Sequence, residues 1–295
     1  MPNWGLVCIT RGDRVRFRTL TRTRYLKLDE TERFDILDEL YRHNLAVLFG
    51  ALDFCAENNL HLYRMSANLF PLADWEDGIG REVLDRLETK MATFGPKAEA
   101  LGIRVVIHPE QFVVLNSERP EVIRNSIKVL EHHAFVFDRF GLPRSGWAAV
   151  NIHGGKGGRP DELVETILSL PDGVRSRLTL ENDERAYGAH EILDVCKRAG
   201  VPMVFDAHHH VVKERLASFE DESVVKLTQL ARTTWQPPDW QMVHLSNGRE
   251  GPLDNKHSDL ISEVPSAFMD VTWVEVEAKA KEEAIAGLRT GVNYG

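Results

Sequence analysis

Cysteine is nearly absent from this sequence. Cys8, Cys55 and Cys196 are far apart, odd in number and set in apolar surroundings. That excludes a disulfide framework and a CxxC-type metal site, and it leaves reduced core thiols of a cytoplasmic protein as the expectation. No apolar run reaches the roughly 18 residues a transmembrane helix needs, so no membrane association is expected. The opening MPNWGLVCITRGDRVRF lacks the basic segment and longer apolar core of a secretory signal. Low-complexity tracts, short repeats and Pro/Gly/Ser linkers are missing too, so residues 1–295 are expected to form one domain. Positive charge is not in surplus. With 36 Lys+Arg against 45 Asp+Glu the net charge is −9, which argues against a protein that coats nucleic acid non-specifically. No G-x-G-x-x-G follows the first strand, which counts against a doubly wound dinucleotide fold, and HGGKGG (153–158) does not have Walker A spacing.

What is present is an alternation. Short apolar, β-branched-rich runs occur at 4–10, 61–69, 103–109, 147–153, 178–183, 202–208, 241–247 and 271–279. Amphipathic stretches separate them. In 119–141, Val122, Ile123, Ile127, Val129, Leu130, Ala134 and Val136 recur at helical spacing until Gly141, and 189–200 ends likewise at Gly200. Eight strand–helix units in one undivided chain predict a closed (β/α)8 TIM barrel.

The polar residues fall at the strand ends. His108 ends the third run, His153 the fourth, Glu181 the fifth and Asp206 the sixth, followed by His208, His209 and His210; His244 lies in the seventh and Glu277 in the eighth. In a parallel barrel all strand C-termini open on one face, which holds the active site, so these residues converge although 170 positions separate them. Carboxylates and imidazoles crowded together out of water are costly unless a cation compensates them. Ligation by His, Asp and Glu without cysteine suits Mn²⁺, Zn²⁺, Co²⁺ or Fe²⁺, and the set is large enough for two ions. Such a cluster fits phosphoester hydrolysis through metal-activated hydroxide, and fits sugar isomerisation or epimerisation and amide hydrolysis almost as well. Residues 11–27, RGDRVRFRTLTRTRYLK, carry seven Arg or Lys against one Asp, with Phe17 and Tyr25 interleaved. After the first strand this stretch would lie on the catalytic face and favour an anionic substrate, with Arg14, Arg16 and the strand-end Thr10 as candidate phosphate contacts. Lys156 in the glycine-rich loop would add a mobile positive group at the site.

The motifs RVVIHPEQFVVLNS (104–117), VNIHGGKGG (150–158), LENDE (180–184), FDAHHH (205–210), VHLSNG with KHSD (243–259) and VEAKAKE (276–282) together resemble the UV damage endonuclease family (UvsE/UVDE), relatives of the endonuclease IV type of apurinic-site nuclease. The resemblance runs over essentially the whole chain. It implies a TIM-barrel endodeoxyribonuclease of DNA repair that uses a manganese-type cluster to nick duplex DNA immediately 5′ to UV photoproducts, cyclobutane dimers and 6-4 photoproducts, leaving a 3′-hydroxyl and a 5′-phosphate. His108, His153, Asp206, His209, His244, His257 and Glu277 match its metal ligands and Glu181 its bridging carboxylate, with Glu275 competing for the role of Glu277. Catalytic roles are expected for Glu181, His108 and Lys156. Gln111 and Phe112 match a pair pushed into the duplex at the lesion, where poor stacking makes flipping cheap and an aromatic wedge can fill the gap.

The chain departs from that pattern at three places: Asn68 stands where the family has a histidine ligand, Met242 where it has a lysine, and Leu6 where it has an aromatic. Two well-occupied ions are therefore expected, with a third weak or absent; Mn²⁺ comes first, and Zn²⁺ or Co²⁺ are alternatives. A monomer working in the nucleoid-containing cytoplasm on UV-damaged double-stranded DNA is the corresponding expectation. Strand alternation alone places Asp206 and His208 on one face, whereas pairing Asp206 with His209 requires the strand to end by Ala207. The remaining alternatives are a sugar isomerase or epimerase of the same barrel type and a DNA-binding protein with an inactive site.

Overall fold

A computed structural model describes residues 2–109 and 111–290 of the chain. Eight strands, β1 (Asn3–Val7), β2 (Leu62–Met65), β3 (Arg104–Ile107), β4 (Val150–His153), β5 (Leu178–Glu181), β6 (Met203–Asp206), β7 (Met242–Leu245) and β8 (Trp273–Val276), pair in sequence order and close into a barrel. Every pairing is parallel, from Gly5 opposite Leu62 round to Gly5 opposite Glu275. The TIM barrel read from the alternation is the fold observed.

The strands are shorter than the apolar runs that predicted them. The run 61–69 contributes Leu62–Met65, and Asn68 sits exposed in the turn that follows. Likewise β3 and β8 stop at Ile107 and Val276, so His108 and Glu277 stand one residue past their strands. The apolar residues beyond the last ladder bond pack under the rim loops, as Leu69, Phe70, Val113 and Leu115 do.

Helices return the chain outside the barrel, and local chemistry sets their ends. Glu30–Glu57 starts in a capping box in which the Asp29 carboxylate accepts from the Glu32 N–H and the Glu32 carboxylate from the Asp29 N–H. Ala189–Ala199 stops at Gly200, which takes the left-handed conformation at φ +67. The outward residues of the strands and the inner faces of these helices form the main core. Alternate residues point into the barrel, where Leu62, Val106, Ala149, Val204, Met242 and Trp273 make a second, closed cluster with Trp235. Met242 is thus a wholly buried filler beneath His244.

Arg104 closes the lower end. Its guanidinium is fully buried, donates to the carbonyls of Trp147, Trp240 and Gly146 at 2.8, 2.8 and 2.7 Å, and lies 5.1 Å from the Trp147 ring and 5.4 Å from those of Trp235 and Trp273. Burial brings it down to about 9, since its donors meet carbonyls and ring faces instead of a carboxylate partner.

On the helix Pro120–Arg139, the adjacent His132 and His133 are buried, and burial pushes them down to about 4 and about 3. An unfolded histidine titrates near 6.5, so as pH falls the unfolded chain takes up these protons first and the native state loses stability. The contribution is complete above about pH 6.5 and is lost progressively on acidification toward about pH 3. His133→Gln is expected to flatten the decline of the urea midpoint across that window. A slope parallel to the parent's would show that His133 does not carry it.

Candidate metal centre

The C-terminal ends of the strands surround one buried carboxylate, Glu181, the last residue of β5. Its Oε2 lies 3.1 Å from His108 Nε2 and accepts from Asn151 Nδ2 at 2.6 Å. Its Oε1 lies 2.9 Å from His244 Nδ1 and 3.6 Å from His209 Nδ1. Asn151 is held in turn by the Thr179 hydroxyl, which donates to its Oδ1 at 2.9 Å. Two triads with donor atoms within 4.8 Å of one another share Glu181: His108, His153 and Glu181, and Glu181, Asp206 and His209.

The turn after β6 explains the histidine triplet. The strand ends at Asp206, which caps the helix Ala207–Glu214 by accepting from the His209 N–H at 2.7 Å. Successive helical residues point about 100° apart, so the imidazoles separate. His209 turns toward the centre, its Nδ1–H donating to the Asn182 carbonyl at 2.9 Å with Glu181 Oε1 3.6 Å away. His208 is buried between the Ser246 hydroxyl and the Asp254 carbonyl, both at 2.9 Å, and His210 is buried against the Ser223 hydroxyl at 2.9 Å.

On the far side, His244 of β7 is wholly buried between carboxylates, with Nδ1 on Glu181 and Nε2 on Glu275. Glu277 lines the cavity 3.7 Å from His257 Nδ1 and 3.4 Å from His244 Nδ1; Glu275 lies deeper, beneath His244. Arg64, buried in β2, pairs with both glutamates. A charged residue inside an apolar strand run gives no hint of its partners on β8, and sequence reasoning missed it. Asn151 had a usable signal, because it shares a strand face with His153 two residues away.

The charges explain the titration. Burial would raise Glu181, but His244, His153 and His108 hold it well below the usual carboxylate range. Burial opposes charge on His244 and His209 as well, yet Glu181 and Glu275 raise the first well above its ordinary value, and Asp206 and Glu181 bring the second to about 9. His153 is lowered, mainly by burial.

Two donor atoms in the shared triads, Asp206 Oδ2 and His153 Nδ1, are buried with no hydrogen-bond partner among the described residues. Leaving such atoms dry and unpaired is costly, and a cation among them removes the cost. His108 makes the same point. Its Nδ1–H donates to the Pro109 carbonyl at 2.8 Å, so Nε2 meets Glu181 as a second N–H or as a lone pair sharing a cation with it. The residues present therefore fit a centre of divalent ions with oxygen and imidazole donors.

A cavity of about 530 Å³ opens above these groups, with Gln111 at its edge and Phe112 beside it, 62% exposed. Phe112 is no core residue. The other expected substrate contacts have partners within the protein. The Thr10 hydroxyl is buried, donating to the Gly12 carbonyl at 3.0 Å and accepting from the Val15 N–H at 3.1 Å. Arg14 pairs with Glu57 at 2.7 Å, in the last turn of a helix returning from the rim, and Arg16 donates to the carbonyls of Gly12 and Arg11. Arg11 and Arg18 pair with Glu283 and Glu39. Lys156 follows Gly155 of the cavity wall and is 2.8 Å from Glu118. The glycine-rich loop packs closely, since a Cβ on Gly155, at φ +78, would meet Asn116 Oδ1 at 2.5 Å.

Fold and site define a (β/α)8-barrel protein with an acidic, imidazole-rich centre at the strand C-termini, of the kind enzymes use to act on anionic or polyhydroxylated substrates. A profile described as UV-endonuclease UvdE matches residues 2–293, and the chain belongs to that family. It is 53% identical over 289 residues to the UV DNA damage endonuclease of Nostoc sp., covering 98% of this chain and 90% of that protein. To the UV DNA damage endonuclease of Deinococcus radiodurans it is 52% identical over 290 residues, covering 98% and 95%. The crystal structure of SacUVDE superposes with a TM-score of 0.81 at 26% identity, over 99% of this chain and 100% of that one.

Proposed function

We propose that this protein is a UV DNA damage endonuclease, a metal-dependent phosphodiester hydrolase that nicks duplex DNA immediately 5′ to a photoproduct and leaves a 3′-hydroxyl and a 5′-phosphate. The observation that carries this reading is the pair of triads sharing Glu181 at the floor of a cavity lined by Gln111 and Val113, with Phe112 between them in sequence and exposed to solvent.

His108, His153, Glu181, Asp206 and His209 would hold two divalent ions, Mn²⁺ foremost, with His244, His257 and Glu277 completing the set. Bound there, the ions supply water activation at neutral pH and charge neutralisation at the phosphate. The chain's own groups do the rest. Asn151 and Thr179 fix the Glu181 carboxylate, and Arg64 balances Glu275 and Glu277. Phe112 fills the space a flipped, poorly stacked lesion leaves, and Gln111 offers its amide to the orphaned bases. A sugar epimerase would share the rim but has no use for an aromatic held in solvent at the cavity edge. Among the described residues no helix is long and apolar enough to cross a membrane.

The test is incubation with Mn²⁺ and a duplex carrying one defined photoproduct. A single nick on its 5′ side is expected, abolished by a chelator and restored by added Mn²⁺. Binding without a nick, or neither, overturns the reading.

A further inference from the structure

We propose that the loop after β7, residues 248–257, is a second DNA-contacting jaw, in which Arg249 and Lys256 engage backbone phosphates and Leu253 meets the unstacked bases from the side opposite Phe112. This rests on the DNA reading above and adds a surface that reading does not use.

The barrel order supplies the placement. In a closed ring of eight, β3 and β7 are diametrically opposed, so the loop carrying Gln111 and Phe112 and the loop 248–257 face each other across the mouth. Gln111 from the one and Asn255, Lys256 and His257 from the other line the same cavity. A duplex lowered onto the centre meets both.

The loop is built to be rigid. Gly248 and His257 form an antiparallel bridge, and the Arg249 N–H donates to the Lys256 carbonyl at 2.8 Å. A Cβ on Gly248 would lie 2.0 Å from the Gly251 carbonyl oxygen and 2.6 Å from that of Asp254, so only glycine allows this close approach. The Asp254 carboxylate accepts from the backbone N–H groups of Glu250 and Lys256. His208 fastens the loop to the barrel, its Nε2–H donating to the Asp254 carbonyl while the Ser246 hydroxyl donates to Nδ1.

Rigid backbone holds the tip side chains in solvent. Leu253 is 50% exposed, and Arg249 and Lys256 are exposed. Neither cation makes an ion pair within 4 Å among the described residues, unlike Arg11, Arg14 and Arg18; their nearest engagement is the longer-range attraction both exert on the Asp254 carboxylate of the same loop. Cations outside any ion pair, flanking an exposed apolar side chain at a nuclease cavity, match phosphate contact plus wedge.

The test measures binding of the full chain, with Mn²⁺ withheld, to a short duplex with one cyclobutane dimer and to its undamaged counterpart over a salt series. Arg249→Ala with Lys256→Ala is expected to weaken both duplexes alike, about tenfold at low salt, and to flatten the slope of log affinity against log salt by about 1.8, or roughly 0.9 per phosphate contact. Leu253→Ala is expected to weaken only the damaged duplex, about fivefold, with the slope unchanged. Arg249→Lys with Lys256→Arg should keep the parent slope, and it serves as the comparison if the alanine variant unfolds. An unchanged slope in the double alanine variant overturns the phosphate contacts, and unchanged discrimination in Leu253→Ala overturns the wedge. If the parent chain itself neither prefers nor nicks damaged DNA, the DNA reading fails; if it nicks while the variants bind as it does, only the jaw fails.

Discussion

Glu181→Gln is expected to lower the rate of nicking by at least about 10³-fold while changing affinity for the damaged duplex by less than about threefold. The amide keeps the volume and the contact with Asn151, so the barrel should survive. What it removes is the charge that both triads share and that His108 and His244 approach at 3.1 and 2.9 Å. Each triad is then left with two donors and no anion in common, and His244 retains only Glu275 and Glu277 as carboxylate neighbours. Bound manganese, measured on the purified variant, should fall in parallel with the rate. On the proposed reading lesion binding rests on Phe112, which is 62% exposed and makes no contact with Glu181, and it should persist. Equal loss of binding and cleavage would contradict the role given to Glu181.

The second large effect is expected from Phe112→Ala: affinity for the damaged duplex falls about 30-fold and that for undamaged duplex hardly changes, because stacking of one aromatic on a base is worth roughly 1–3 kcal/mol. The ring contributes little to the fold while it stands in solvent, so the urea midpoint should stay within experimental error of the parent's. Metal content should be unchanged as well. A fall in metal content or stability would mean that Phe112 supports the β3 loop instead of probing the duplex. Phe112→Tyr, which preserves the ring, should retain discrimination.

The barrel and the floor of its site were legible because both follow from periodicity. Apolar runs separated by amphipathic stretches count the strands, and a parallel barrel gathers whatever stands at their ends. Local composition could not show how charges are shared across the fold. The arginines of 11–18 read as a surface for phosphates, yet their partners, Glu39, Glu57 and Glu283, come from two other segments. Lys156 reads from its glycine neighbours as a mobile cation, whereas Glu118, 38 positions earlier in the sequence, engages it. Arg64 escapes notice for the opposite reason, since the residues that make its burial tolerable, Glu275 and Glu277, lie on β8 and just past its end. The choice between His208 and His209 turns on where a strand stops and a helix starts, which alternation does not reveal.

That junction has a consequence for how the chain can change in length. β6 passes into the helix Ala207–Glu214 with no residue between, Asp206 being both the last of the strand and the cap of the helix. There is no slack. One residue inserted or deleted between Val204 and His210 would rotate the helix by about 100° relative to the strand. Each imidazole would then swing into its neighbour's place, so that the loop anchor would face Glu181 and the group facing Glu181 would turn to the helix behind. Among sequences of this fold, indels should therefore avoid the junction after β6, even at positions where single substitutions are tolerated.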